Sequence, residues 1–182
     1  MILKLYDSIM VDIETTGLNP VHSHILQLSA VRFNMADKTI DHENMFNRTI
    51  MPIMPHRYWD EGTREWWLDT NPELLGKIIN GGDLPENVFR DFKVFVEQTK
   101  ADEPVRFWSK PLSFDYPFVD SYFKQLNMGI PFRYYRAVDL NSFILGRGHR
   151  NAQEFAGEVP FDGEKHNAIF DVLYQIKLAF SA

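Results

Sequence analysis

The sequence predicts an α/β domain: a mixed sheet, an antiparallel meander followed by parallel strands, flanked by helices. Three observations predict it. The apolar run over 7–13 ends in acids and a turn signal, and reads as a buried central strand; residues 24–49 look like an antiparallel meander; later helical and strand patterns alternate. With 182 residues and 45% hydrophobic content, the chain is expected to form one domain, 1–182, with a full core.

Each element has its own signal. Ile9-Met10-Val11 lead the first strand into Asp12 and Glu14, and Gly17 to Pro20 turn the chain. In 24–33, Leu26, Leu28 and Ala30 fall on one strand face and Ile25, Val31 and Phe33 on the other; a turn at Asn34 to Lys38 leads to a third strand near 39–49. Thr63 to Leu68 is expected as a short helix. Pro85 to Lys100 is a longer one, started by Asp83 and Pro85, with Val88, Phe92, Phe95 and Val96 inward. A strand at 104–108 precedes a helix capped by Ser113, running through Leu126 and stopped by Gly129 and Pro131. A strand near 133–140, a short helix at 141–145 and a polar loop at 146–164 follow. The last helix spans about 167–180, with Ile169, Val172, Leu173, Ile176 and Phe180 as its buried stripe.

Composition removes several classes of function. The chain has no cysteine, which excludes disulfides, thiolate zinc sites and a cysteine nucleophile, and fits a reducing cytoplasm. No apolar run approaches membrane-spanning length, and Asp7 interrupts the N-terminal segment too early for a signal-peptide core. A net charge of -6 argues against a broad basic face, so a polyanionic partner must be held locally.

Asp12 and Glu14, two residues apart on a strand, point the same way, and at the end of a buried strand their mutual repulsion is costly unless something positive lies between them. Asp115, in "SFDYPF", and Asp171 each stand in the first turn of an expected helix. Alone, either acid is explained by the helix dipole; that does not explain the strand pair. Two hard divalent cations, Mg²⁺ or Mn²⁺, suit an all-oxygen ligand set and would offset four of the six excess negative charges. Such a pair, about 3.5 to 4 Å apart, supports in-line hydrolysis of a phosphodiester. His166, five residues before Asp171, cannot share a helical face with it and is expected on the lead-in to the helix, where an imidazole could serve as general base or be a plain surface histidine.

In this order, "DIETTGLNP" at 12–20, "SFD" at 113–115 and "HNAIFD" at 166–171 resemble the three motifs of the DEDDh family of 3′-to-5′ exonucleases, on the ribonuclease H-like fold. Asn at position 167 disfavours the sister branch that uses a tyrosine there. The segment "EGTREWWLDTN" is similar to a stretch of the sub-branch that includes phage exonuclease A and a bacterial exoribonuclease-like group. One departure is that many members carry an asparagine shortly before "SFD", where this chain reads Trp108-Ser109-Lys110-Pro111-Leu112.

The resemblance implies hydrolysis of single-stranded DNA or RNA from a free 3′ end to nucleoside 5′-monophosphates. It gives Asp12, Glu14, Asp115 and Asp171 as ligands of two metals, and His166 as the base that deprotonates water. Thr15, Gly17 and Phe114 would meet the terminal nucleotide, and Leu18 would wedge against its base. Trp66 and Trp67 are open to two roles, stacking on bases or packing in the core; the "GRGHR" stretch at 146–150 could touch phosphates or be a solvated loop. Asp139 reads as a capping acid. A homodimer is compatible with this reading. The alternatives are a non-catalytic nucleic-acid-binding domain, disfavoured by the cost of clustered acids without metal, and a proofreading subunit of a polymerase complex.

Overall fold

The computed structural model describes residues 6–99 and 104–182; Met1 to Leu5 and Lys100, the expected end of one helix, lie outside them. Six strands form one mixed sheet. β1 (Ser8–Thr15) pairs antiparallel with β2 (Ile25–Asn34), and β2 in turn with β3 (Thr39–Ile40) and β4 (Phe46–Thr49). On its other side β1 runs parallel to β5 (Arg106–Ser109), which runs parallel to β6 (Ala137–Asp139). The order β3-β2-β1-β5-β6, with β4 also on β2, is the expected meander followed by parallel strands.

The sheet is covered on both faces, which is why β1 is buried almost throughout. On one face Ile9, Val11 and Ile13 pack beneath α3 (Pro85–Glu97) and α4 (Leu112–Gln125), in a cluster rich in phenylalanine. On the other, Met10, Val31, Phe33 and Trp108 meet α5 (Leu140–Gly146), α6 (Ala152–Glu158) and α7 (Ala168–Ser181). A smaller cluster joins Leu26 to Trp67, Leu74, Leu75 and Ile78 of α1 (Glu61–Thr70) and α2 (Pro72–Asn80).

Several elements differ from expectation, each for a local reason. The register slips between Glu14 and Thr15, so that Glu14 faces Gln27 and Thr15 faces Ile25. Leu26 is the extra residue of this bulge; it leaves the face of Leu28 and Ala30 for the α1–α2 cluster, while Ile25 joins them. The third strand is split because Asp41 turns to Arg32, 3.3 Å away, and accepts from Asn44. The helix at 63–68 extends to Glu61–Thr70 and abuts α2, which the Asn71-Pro72 pair starts as cap and first residue rather than breaking the helix. Neither Asp83 nor Ser113 caps a helix: Asp83 pairs with Arg48 at 2.7 Å, and α4 begins at Leu112. α4 ends at Gln125, before Gly129, where Asn127 takes a φ of 53°.

The supposed loop at 146–164 contains α6, capped by Asn151, which accepts from Gln153 N and Glu154 N, and anchored by Ala152, Phe155 and Ala156. The buried stripe of α7 is rotated toward Ala168, Val172, Gln175, Ile176 and Ala179, leaving Ile169, Leu173 and Phe180 only partly buried. Asp139 does cap, accepting from Ser142 N at 2.7 Å and from Leu112 N at 2.9 Å, and so ties α5 to the start of α4. Among the described residues no helix is long and apolar enough to cross a membrane.

Candidate active site

The strand period puts Asp12 and Glu14 on the α7 side of the sheet, near the C-terminal end of β1. α7 brings Asp171 to them from its first turn. Oxygens of Asp12, Glu14 and Asp171, remote in sequence, lie within 4.8 Å of one another. One turn after Asp171, Gln175 donates from Nε2 to Asp12 Oδ1 at 2.6 Å, the i and i+4 spacing keeping both side chains over β1. Asp115 arrives from the first turn of α4, only 2% exposed. Asp12, Glu14, Asp115, Asp171 and His166 line one cavity of about 270 Å³, with Phe114, Lys110 and Gln175 among its other walls.

Electrostatically this cavity is unfinished. Burial pushes the Asp12 carboxyl well above the ordinary carboxylate range, the charges of Asp115, Glu14 and Asp171 push it further, and the Gln175 hydrogen bond opposes them. Asp12 as a residue keeps some solvent exposure, but protein atoms crowd its carboxyl. Glu14 is raised well above its usual value by burial and by Asp171 and Asp115. Burial pushes Asp115 up to about 8. The Ser109 hydroxyl and the Ile13 backbone act against that rise, yet among the described residues Asp115 Oδ2 and Ser109 Oγ each lack a hydrogen-bond partner of good geometry. Asp171 is raised by burial and held back by His166, Lys110 and Lys165; its Oδ2 also has no hydrogen-bond partner among the described residues. Orphaned carboxylate oxygens converging on one small space are what a hard cation binds, so the donor set fits a divalent metal.

His166 stands just before α7 with a φ of 63°, half-buried. Its ring meets Trp66 edge-on, centroids 4.9 Å apart at 90°. The two tryptophans therefore divide the alternatives left open by the sequence. Trp67 is 1% exposed and donates from Nε1 to Thr15 O at 3.1 Å, fastening α1 to the end of β1; Trp66 is 41% exposed, beside His166. Thr15 thus has its carbonyl engaged by Trp67, and its hydroxyl donates to Gly17 O at 2.8 Å. Gly17 packs so closely that an added Cβ would stand 2.5 Å from Ser23 Oγ and 2.8 Å from Asp60 Cβ. Leu18, next along this turn, is 79% exposed.

Sequence reasoning missed four contributors. Gln27, opposite Glu14 on β2, donates to Asn167 Oδ1 at 3.0 Å and Asn47 Oδ1 at 2.9 Å, and accepts from Ala168 N at 3.2 Å. It thereby fixes where α7 begins and so where Asp171 stands. Gln175, Tyr174 and Lys110 line the site as well. A signal for Gln175 was present: it lies one turn beyond Asp171 on an otherwise apolar face. A larger cavity of about 630 Å³, between Pro20–His22 and α4, contains none of the acids.

Fold and site together define an α/β domain with a mixed sheet whose convergent carboxylates suit a divalent cation. Residues 7–181 match the family described as the 3′-5′ exoribonuclease Rv2179c-like domain, and the chain belongs to that family. The same fold is found in cell-death related nuclease 4 (CRN-4), with a TM-score of 0.74 and 15% identity over 97% of this chain. The chain spans 63% of that nuclease's length. S. pombe Pop2p, in an Mg²⁺- and Mn²⁺-bound form, aligns with a TM-score of 0.70 and 14% identity, covering 97% of this chain and 82% of that one. The nuclease domain of 3′hExo, a DEDDh family member bound to rAMP, aligns at 0.62 with 14% identity, covering 97% and 91%. No curated protein sequence matches the chain.

Proposed function

We propose that residues 1–182 act as one exonuclease domain that shortens single-stranded RNA from its 3′ end, releasing nucleoside 5′-monophosphates. The observation that carries this is the convergence of Asp12, Glu14 and Asp171 to within 4.8 Å, with the buried, unpartnered Asp115 Oδ2 beside them. RNA is preferred over DNA because the family is described as exoribonucleolytic. The lack of cysteine supports a reducing compartment such as the cytoplasm.

In this reading Asp12, Glu14, Asp115 and Asp171 would hold two divalent cations, Mg²⁺ or Mn²⁺, which would acidify water and stabilise the leaving oxygen. His166 accepts the proton of the attacking water, and Trp66 limits where its ring can turn. Gln175 fixes Asp12 in one rotamer, and Gln27 fixes the start of α7. Leu18, exposed and apolar, and Phe114, on the cavity wall, are suited to flank the terminal base, while the packed turn at Thr15–Gly17 holds Leu18 in place.

The test is digestion of 5′-labelled single-stranded RNA and DNA of one sequence with Mg²⁺ or Mn²⁺, beside an Asp12→Asn variant. A ladder shortening from the 3′ end, faster on RNA and absent in the variant, is expected. No shortening by the wild-type protein would overturn the proposal.

A further inference from the structure

Among the described residues Lys110 has no close counter-ion. It sits in the turn between β5 and α4, half-buried, and among the described residues its side chain makes no ion pair or hydrogen bond. It lines the acid cavity together with Asp12, Asp115 and Asp171. It also lines an adjoining cavity of about 320 Å³ shared with Lys165, His166 and Tyr174. Sequestering an ammonium from water is costly unless negative charge compensates it. Longer-range attraction to Asp171 and Asp12 compensates part of that cost while their charge is free, burial being the larger effect. Once cations occupy those carboxylates, the compensation is spent, and Lys110 is left facing a site that then favours an anion.

We propose that Lys110 is a substrate-positioning residue whose ammonium binds a non-bridging oxygen of the phosphate that is cut, the phosphate that stays on the released nucleoside 5′-monophosphate. This rests on the exonuclease reading. A lysine suits the task as a compact point charge on a flexible stem, able to follow the phosphate as it changes geometry. It requires no second base on the phosphate and leaves the choice of nucleobase to the walls beyond.

The test compares adenosine 5′-monophosphate with adenosine, each titrated into the Mn²⁺-loaded protein, in wild type, Lys110→Gln and Lys110→Arg. Mn²⁺ affinity, thermal midpoint and RNA cleavage are followed in parallel. Wild type is expected to bind the monophosphate about tenfold or more tighter than the nucleoside, as a charge-assisted contact implies. In Lys110→Gln the difference should shrink by about threefold or more, the bound cations keeping the remainder, with Mn²⁺ bound no more weakly, while Lys110→Arg keeps most of it. The salt slope for binding single-stranded RNA should fall by about 0.7 in Lys110→Gln. A Lys110→Gln protein that keeps the full preference for the monophosphate, or loses it only together with Mn²⁺ binding, would overturn the proposal. Wild-type protein that cleaves no RNA would instead remove the exonuclease reading on which it rests.

Discussion

Metal-free protein should lose stability as pH rises from about 7 to about 9, and a divalent cation should restore it. Asp115 is held up to about 8 by burial, whereas in the unfolded chain its carboxyl titrates near the ordinary value of about 4. Over this window the folded protein still carries a proton that the unfolded chain has already lost. Raising the pH strips that proton from the folded state alone, so stability falls with pH. A single group titrating near 8 removes on the order of 1 kcal/mol between pH 7 and 9, or about 2 to 4 °C for a chain of this size. Asp12 and Glu14, both also raised, add to the slope in the same direction. The window is chosen because His24, whose imidazole is depressed by burial, works oppositely at lower pH: its contribution is lost as pH falls below about 6.5. Thermal midpoints in EDTA and in Mn²⁺ across this range, for wild type and Asp115→Asn, make the measurement. The EDTA curve should fall, the Mn²⁺ curve should stay nearly level, and Asp115→Asn should flatten the EDTA curve. An EDTA curve that is flat or rising in wild type would refute the picture of buried carboxylates awaiting a cation.

Other substitutions separate support from contact. Gln27→Ala strands Asn167 and the Ala168 amide; it should cost about 2 to 3 kcal/mol in urea unfolding and slow RNA cleavage by displacing Asp171. Trp67→Phe removes the indole N–H from Thr15 O and should cost about 1 to 2 kcal/mol, read from the shift in denaturation midpoint. Gly17→Ala forces a methyl group against Ser23 and Asp60 and should cost about 1 to 3 kcal/mol, as calorimetry would register. Leu18→Ala, at a largely exposed position, should leave stability within about 0.5 kcal/mol while lowering kcat/KM on RNA about tenfold.

The meander followed by parallel strands was legible because buried parallel strands and an alternating meander leave different patterns of apolar residues, and the shared face of Asp12 and Glu14 was legible from strand alternation, whereas Asp115, His166 and Asp171 stood out only through the motifs they belong to. What escaped the sequence depends on partners far away in the chain. Leu26 obeys strand alternation until the bulge, and the bulge is set by how β2 meets the end of β1. Asp83 and Ser113 have the composition of caps, but Asp83 finds Arg48 and the start of α4 is held by Asp139 instead. α2 and α6 were hidden because Asn-Pro and a polar, glycine-bearing stretch read as interruptions, although Asn71 and Asn151 were their caps. Gln27 and Gln175 carry no charge to draw notice, and their importance comes only from the groups they reach.

α7 meets β1 across nearly the whole length of the chain, the bond from Gln175 to Asp12 spanning 163 residues. A nascent polypeptide halted anywhere ahead of position 171 owns Asp12 and Glu14 without the acid that faces them. On the proposed reading, degradative power is therefore withheld until α7 has been made and docks on β1.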